Sequence, residues 1–247
     1  IVGLPLGRAI GIAVGWRVTF LIIAAIAFGV LGLLAAVLKK SPSDNNFSLR
    51  KLPALIKTPS LWGIYLLTLV AISGHFTAYS YIEPFLSRIA GLGNNAITVV
   101  LTLFGAVDLV GSFIFSRHYN NNVETFFKMA VAGLCFCLLM LLPASCTEWS
   151  AFLQCMLWGL SINFFNLSFQ SEIIRHAPQG TAVAMSIYSG IYNVGIGTGA
   201  LVGGSVCDGI GIRYIGYVGG AIALAAVIYC IRHVVPVLRR ATAGAEI

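Results

Sequence analysis

Eight runs of apolar residues fill this chain, at roughly residues 1–14, 18–38, 61–85, 96–115, 126–142, 151–170, 181–206 and 214–235. Apart from the first and the somewhat short fifth, each reaches the ~20 residues that a helix needs to cross a hydrocarbon core about 30 Å thick. No water reaches the backbone inside lipid, so every N–H and C=O must bond within its own segment, and runs of this length must be helices. A membrane β-barrel would need alternating segments of ~10 residues, and the sequence has none. The pattern therefore predicts an all-α, polytopic membrane helical bundle. The first run is already under way at Ile1, with no basic leader and no cleavage site before Gly15 and Trp16. It reads as a truncated membrane helix, not a signal peptide, and the chain reads as a membrane protein missing its front.

Composition agrees: 58% of residues are hydrophobic and 9% charged, too few charges to solvate a globular surface of 247 residues. The net charge of +7 then carries information about topology. If the second run ends in the cytoplasm, that side collects Lys39, Lys40, Arg50, Lys51, Lys57, Arg117, Lys128, Arg175, Arg232, Arg239 and Arg240, against Arg17, Arg88 and Arg213 opposite. This bias predicts a cytoplasmic C-terminus. It also favours anionic headgroups over nucleic acid as the partner of the basic stretches.

One connection differs from the others. Residues 39–59 are rich in Lys, Ser, Pro, Asp and Asn, whereas the remaining breaks are short. They predict a cytoplasmic linker between residues 1–38, the last two helices of one half, and residues 60–247, a second half of six helices with a short cytoplasmic tail. Six helices after a long basic loop point to the second half of a two-times-six transporter, with four further helices expected ahead of Ile1.

No metal or cofactor is expected. The four His residues are isolated from one another, and Cys135, Cys137, Cys155 and Cys230 lie inside apolar runs as small hydrophobes. Cys146 and Cys207 fall in external connections, where a disulfide would need a Cα separation of about 4.4–6.8 Å that sequence does not set. Gly195-Ile196-Gly197-Thr198-Gly199 lacks the preceding strand of a dinucleotide-binding turn. With no nucleophile beside a base, an enzyme is not expected.

Polar groups at lipid depth are costly and usually face a bundle interior or a wet cavity, so they mark the candidate site. In the third run Tyr65, Thr68, His75, Tyr79 and Glu83 recur at helical spacing and predict one stripe, either a cavity wall or a set of bonds to neighbouring helices. In the sixth, Gly159, Asn163, Asn166 and Gln170 share a face, as interhelical amides or as contacts to a polar solute. Asp108 in the fourth run shares a face with Gly105, Gly111 and Ser112 and is a lone intramembrane carboxylate, a candidate for proton relay or gating. The seventh run carries a glycine ridge, Gly195, Gly199 and Gly203, that predicts close helix packing, with Tyr188 and Tyr192 continuing it and Ser186, Ser189 and Asn193 on an adjacent face. Asn193 lies mid-membrane, where its amide must bond a neighbouring helix or a solute.

Several stretches resemble a known family. Gly3-Leu4-Pro5-Leu6-Gly7-Arg8, Gly15-Trp16-Arg17 and Thr19-Phe20 are similar to the fifth helix and following turn of proton-coupled exporters of the major facilitator superfamily. Tyr65-Leu66-Leu67-Thr68, Thr77 through Phe85 and Ser189 through Gly197 resemble the bacterial sugar efflux transporters of SotB type, exporters of arabinose and thiogalactosides. The resemblance implies helices five to twelve of a twelve-helix fold in the bacterial inner membrane, a monomer when full length, in which two halves rock around a midplane cavity as a sugar leaves and protons enter. It implies a substrate-binding amide at Asn193 and a match of His75, Tyr79 and Glu83 to the seventh helix. With the residue-level reading, the sugar-binding candidates are Asn193, His75, Tyr79, Asn163 and Tyr192, and the proton-coupling or gating candidates are Glu83, Asp108 and Arg8. The fifth-helix antiporter motif departs from the wider pattern, with Gly3-Leu4-Pro5 and Gly7-Arg8 spread out and a cation beside the bend. A multidrug:proton antiporter of the same superfamily is the alternative, and its cavity should be more apolar than amides, imidazole and phenols provide. A channel or receptor is more distant, since neither a carbonyl filter nor a charged ring is legible.

Overall fold

The computed structural model describes residues 7, 10, 11, 13–37, 58–121, 123–178 and 180–243. Two compact units emerge, Ile1–Phe47 and Ser48–Ile247. The sequence-predicted linker at 39–59 lies, apart from its last two residues, outside the described residues, as does Arg8.

In the first unit, helical residues within 7–14 precede α1 (Trp16–Val37). Gly15 joins them at φ +92°, a left-handed conformation that side chains resist. Arg17 lies over the Trp16 ring at 4.6 Å, a cation–π pair of the kind that suits a membrane interface.

The second unit is built from α2 (Pro59–Tyr79), the short α3 (Ile82–Arg88), α4 (Asn94–His118), α5 (Val123–Met140), α6 (Glu148–His176), α7 (Thr181–Gly209), α8 (Ile215–Tyr229) and α9 (Val235–Ala243). A π-helical turn, Cys230–Val234, joins the last two. No strand occurs among the described residues. Local signals set the helix ends. Pro59 opens α2, where its missing N–H costs nothing. Thr147 caps α6 in a capping box with Ser150. Arg117 and His118 close α4, and Arg175 and His176 close α6, complementing the negative ends of both helices. Among the described residues six stretches, α1, α2 through α3, α4, α5, α6 and the segment Ile212–Arg240, are long and apolar enough to cross a membrane. The helix α7 has 29 residues but falls outside that group because glycine, serine, tyrosine and asparagine interrupt its apolar residues.

The sequence predicts one stripe from Tyr65 to Glu83, and the structure divides it. Backbone bonding changes at the end of α2, where the Tyr81 N–H turns to the Ala78 carbonyl, and Glu83 belongs to α3 on the far side of that break. Glu83 therefore does not share a helix face with His75 and Tyr79.

The central element is α2, which packs on α7, α8 and α6. Its contact with α7 is closed by hydrogen bonds from Tyr65 to the Ala184 carbonyl (3.0 Å) and from Tyr81 to the Ala200 carbonyl (3.1 Å), and between Ser73 and Thr198 (2.7 Å). Gly74 and Gly219 bring α2 and α8 so close that a Cβ on Gly74 would lie 2.7 Å from the Gly219 oxygen. Lipid tails are as apolar as a protein core, so close van der Waals contact and interhelical hydrogen bonds must hold such helices together. Contacts also fix which ends lie together. Tyr65 with Ala184, Gly63 with Val234, Glu124 with Arg239 and Tyr119 with Glu172 mark one end of the bundle. Tyr81 with Ala200 and Gly216 with Leu138 mark the other.

Candidate functional site

Two adjoining polar regions lie where α2, α4, α6 and α7 approach one another. The first is a cleft of about 320 Å³ between α6 and α7, lined by Asn166, Gln170, Met185, Tyr188, Ser189 and Tyr192. Helical spacing builds it: the two amides are one turn apart on α6, and the four α7 residues recur at steps of three, one and three. The Asn166 side chain lies beside Tyr192. The Tyr188 hydroxyl is buried with no hydrogen-bond partner among the described residues, a costly arrangement unless something in the cleft satisfies it. The volume sits at the lower end of the ~300–1,000 Å³ typical of small-molecule sites.

The second region is an aromatic and ionic cluster. His75 is 3% exposed, and its Nδ1 accepts the Trp158 indole N–H at 3.0 Å. An indole N–H only donates, so Nδ1 must be unprotonated and the imidazole proton sits on Nε2. The His75 ring stacks on Tyr79 at 5.1 Å, and Tyr79 meets Phe104 at 5.3 Å. Asp108 of α4 faces the Asn163 side chain of α6 and lies near Tyr79. The Asn163 oxygen faces Gly111, where a Cβ would lie 2.5 Å away, and is buried without a partner among the described residues. Tyr79 is in turn close to Tyr192, which connects the cluster to the cleft.

His75, Tyr79, Asn163, Asp108 and Tyr192 thus come together from four helices. Asn193 does not line the cleft. It is exposed on the neighbouring face of α7, where its Nδ2 donates to the Ser189 carbonyl at 2.8 Å and its oxygen is left to accept. Glu83 is exposed on α3. Cys146 and Cys207 are both free thiols, and no metal-binding group of His, Cys, Asp and Glu occurs among the described residues.

Comparison with known proteins places this architecture. The sequence model of the Major Facilitator Superfamily matches residues 1–184. The chain belongs to the Major Facilitator Superfamily. It is similar to a probable sugar efflux transporter of Pasteurella multocida, 46% identical over 224 residues that cover 91% of this chain and 55% of the relative. It is also similar to probable sugar efflux transporters of Helicobacter acinonychis (45% identical) and Helicobacter pylori (44%), each match covering 93% of this chain and 59% of the relative. The chain spans between 55% and 59% of the length of these curated relatives.

This superfamily member has a further polar cluster that sequence reasoning missed. Glu172 of α6 is 2% exposed and accepts the Tyr119 hydroxyl at 2.8 Å. Arg175 and His176 flank it at 3.5 and 3.6 Å, one helical turn along. Burial and the adjacent Glu172 carboxylate push the Tyr119 phenol well above its ordinary range, so it remains a donor at any ordinary pH. The bond ties the end of α4 to α6. The signal was present as an acid followed by Arg and His three and four residues later. Trp158 was also missed, because an indole within an apolar run reads as core until its N–H is seen to need an acceptor.

Proposed function

We propose that this protein takes part in proton-coupled export of a small sugar or sugar analogue, by alternating access of two helical halves. The observation that carries this reading is the cleft between α6 and α7, which presents two amides, a serine and two tyrosines at membrane depth. Amides and phenols both donate and accept, which suits hydroxyls, and the apolar faces of Tyr188 and Tyr192 suit the C–H surface of a sugar ring. The names of the relatives support the same substrate class. Tyr192 and Tyr188 bind from the cleft, and Asn193 contributes from the exposed face of the same helix. His75, Tyr79 and Asn163 shape the wall behind Tyr192.

Asp108 is the proton-coupling group in this reading. A carboxylate that faces an amide, with a phenol nearby, turns from acceptor to donor when it gains a proton and so changes what those neighbours can bond. The protein sits in the bacterial inner membrane as a monomer with α9 on the cytoplasmic side, the orientation that the basic residues favour.

The test uses everted membrane vesicles carrying the protein, with labelled arabinose or a thiogalactoside and an imposed proton gradient. Gradient-driven accumulation is expected in the parent and about tenfold lower in Asn193→Ala. Asp108→Asn should retain sugar exchange while losing its response to the gradient. Accumulation of a cationic drug without sugar uptake would replace the reading with multidrug export.

A further inference from the structure

A basic groove separate from the polar cleft lies at the bundle end that carries α9. It is lined by Glu124 and Lys128 of α5, Ile231 of the π-helical turn, and Val235, Arg239 and Arg240 of α9, around a space of about 280 Å³. Arg239 donates Nε and Nη2 to the two Glu124 carboxylate oxygens at 2.6 and 2.8 Å, and Lys128 donates to the same carboxylate. One carboxylate thus faces three cations. Arg240 makes no ion pair among the described residues, and Arg239 remains 70% exposed despite its bonds to Glu124. The first turn of α5 adds the positive end of a helix dipole. The wall of the groove is apolar, and Ile231 is 52% exposed.

We infer that this groove binds the headgroup phosphate of an anionic phospholipid, with the phosphate between Lys128 and Arg240 and an acyl chain along Ile231. Two features favour a lipid over free phosphate. The groove lies where spanning helices end, and its apolar wall continues along the outer face of α8 through Ile228 and Leu224, both exposed. Glu124 competes for the same cations, because every bond it takes from Lys128 and Arg239 is one that a phosphate cannot take. The carboxylate therefore sets the affinity and does not create the site.

The experiment reconstitutes the protein in nanodiscs of mixed phosphatidylglycerol and phosphatidylcholine and counts by mass the lipids retained after extraction. Phosphatidylglycerol should be enriched over its bulk fraction. Arg240→Gln and, independently, Lys128→Gln should each lower its retention about fivefold, the equivalent of ~1 kcal/mol per cation near a membrane surface. Glu124→Gln should raise retention, since it frees two cations, whereas a purely structural ion pair predicts no gain. Arg213→Gln, at the opposite end of the bundle, should change nothing. Equal retention of both lipids, a fall in Glu124→Gln, or displacement of the lipid by inorganic phosphate would each overturn the assignment.

Discussion

The two faces of α7 use the same residue type in opposite ways. On the face toward α2, Gly195, Gly199 and Gly203 are buried, and a Cβ on Gly199 would lie 2.5 Å from the Ser73 carbonyl and 2.8 Å from the Phe76 Cβ. On the other face Gly190 and Gly197 are exposed with nothing within 4 Å, alongside Ser186, Ser189 and Asn193. One face is dry and joined through backbone, and the other is open and polar. A glycine in a membrane helix therefore says that a side chain was dispensable. It does not say whether another helix or an open space lies opposite.

The comparison can be broken most severely at Gly199. In Gly199→Val the new side chain meets backbone atoms of α2 that cannot rotate away, and overpacking of this kind costs about 3 kcal/mol. A clear drop in thermal unfolding temperature in detergent is the expected reading. On the open face, Asn193→Ala should leave that temperature unchanged while lowering sugar accumulation about tenfold, the equivalent of ~1.4 kcal/mol for a lost solute bond. Equal losses of stability and transport would make Asn193 a structural amide.

Tyr188→Phe sharpens the boundary between the two faces. Its hydroxyl is buried and without a partner among the described residues, so removing it from a dry site should stabilise the protein by about 1 kcal/mol. Transport should fall about threefold if the solute satisfies that hydroxyl, a little under 1 kcal/mol. Gly197→Ala should do least, holding stability within about 0.5 kcal/mol because the added methyl enters open space. A cost comparable to that at Gly199 would erase the distinction between the faces.

Parts of this arrangement were legible in the residues alone. The glycine ridge on α7 predicted close packing, and Gly195, Gly199 and Gly203 do pack against α2. The Tyr65 to Glu83 stripe was drawn by spacing across a break that spacing cannot see. Neither apolar content nor period changes at Ser80, where the backbone bonding does. Glu172 escaped notice because it sits near the end of its run, where an acid looks like an interfacial residue. Its burial depends on Tyr119, which lies 53 residues away in sequence.

Residue order alone was enough to establish that the chain forms long membrane helices and where most of them start and stop. Each such helix satisfies its own backbone, so length, apolar content and capping residues are local quantities that can be read along the chain. Which face of each helix meets which neighbour emerged from packing, and with it that Asp108 faces Asn163, that Trp158 holds His75, and that Tyr192 lines a cleft while Asn193 does not. When the surrounding solvent is as apolar as the interior, hydrophobicity no longer distinguishes inside from outside, and the choice passes to shape and to hydrogen bonds between residues far apart in the chain.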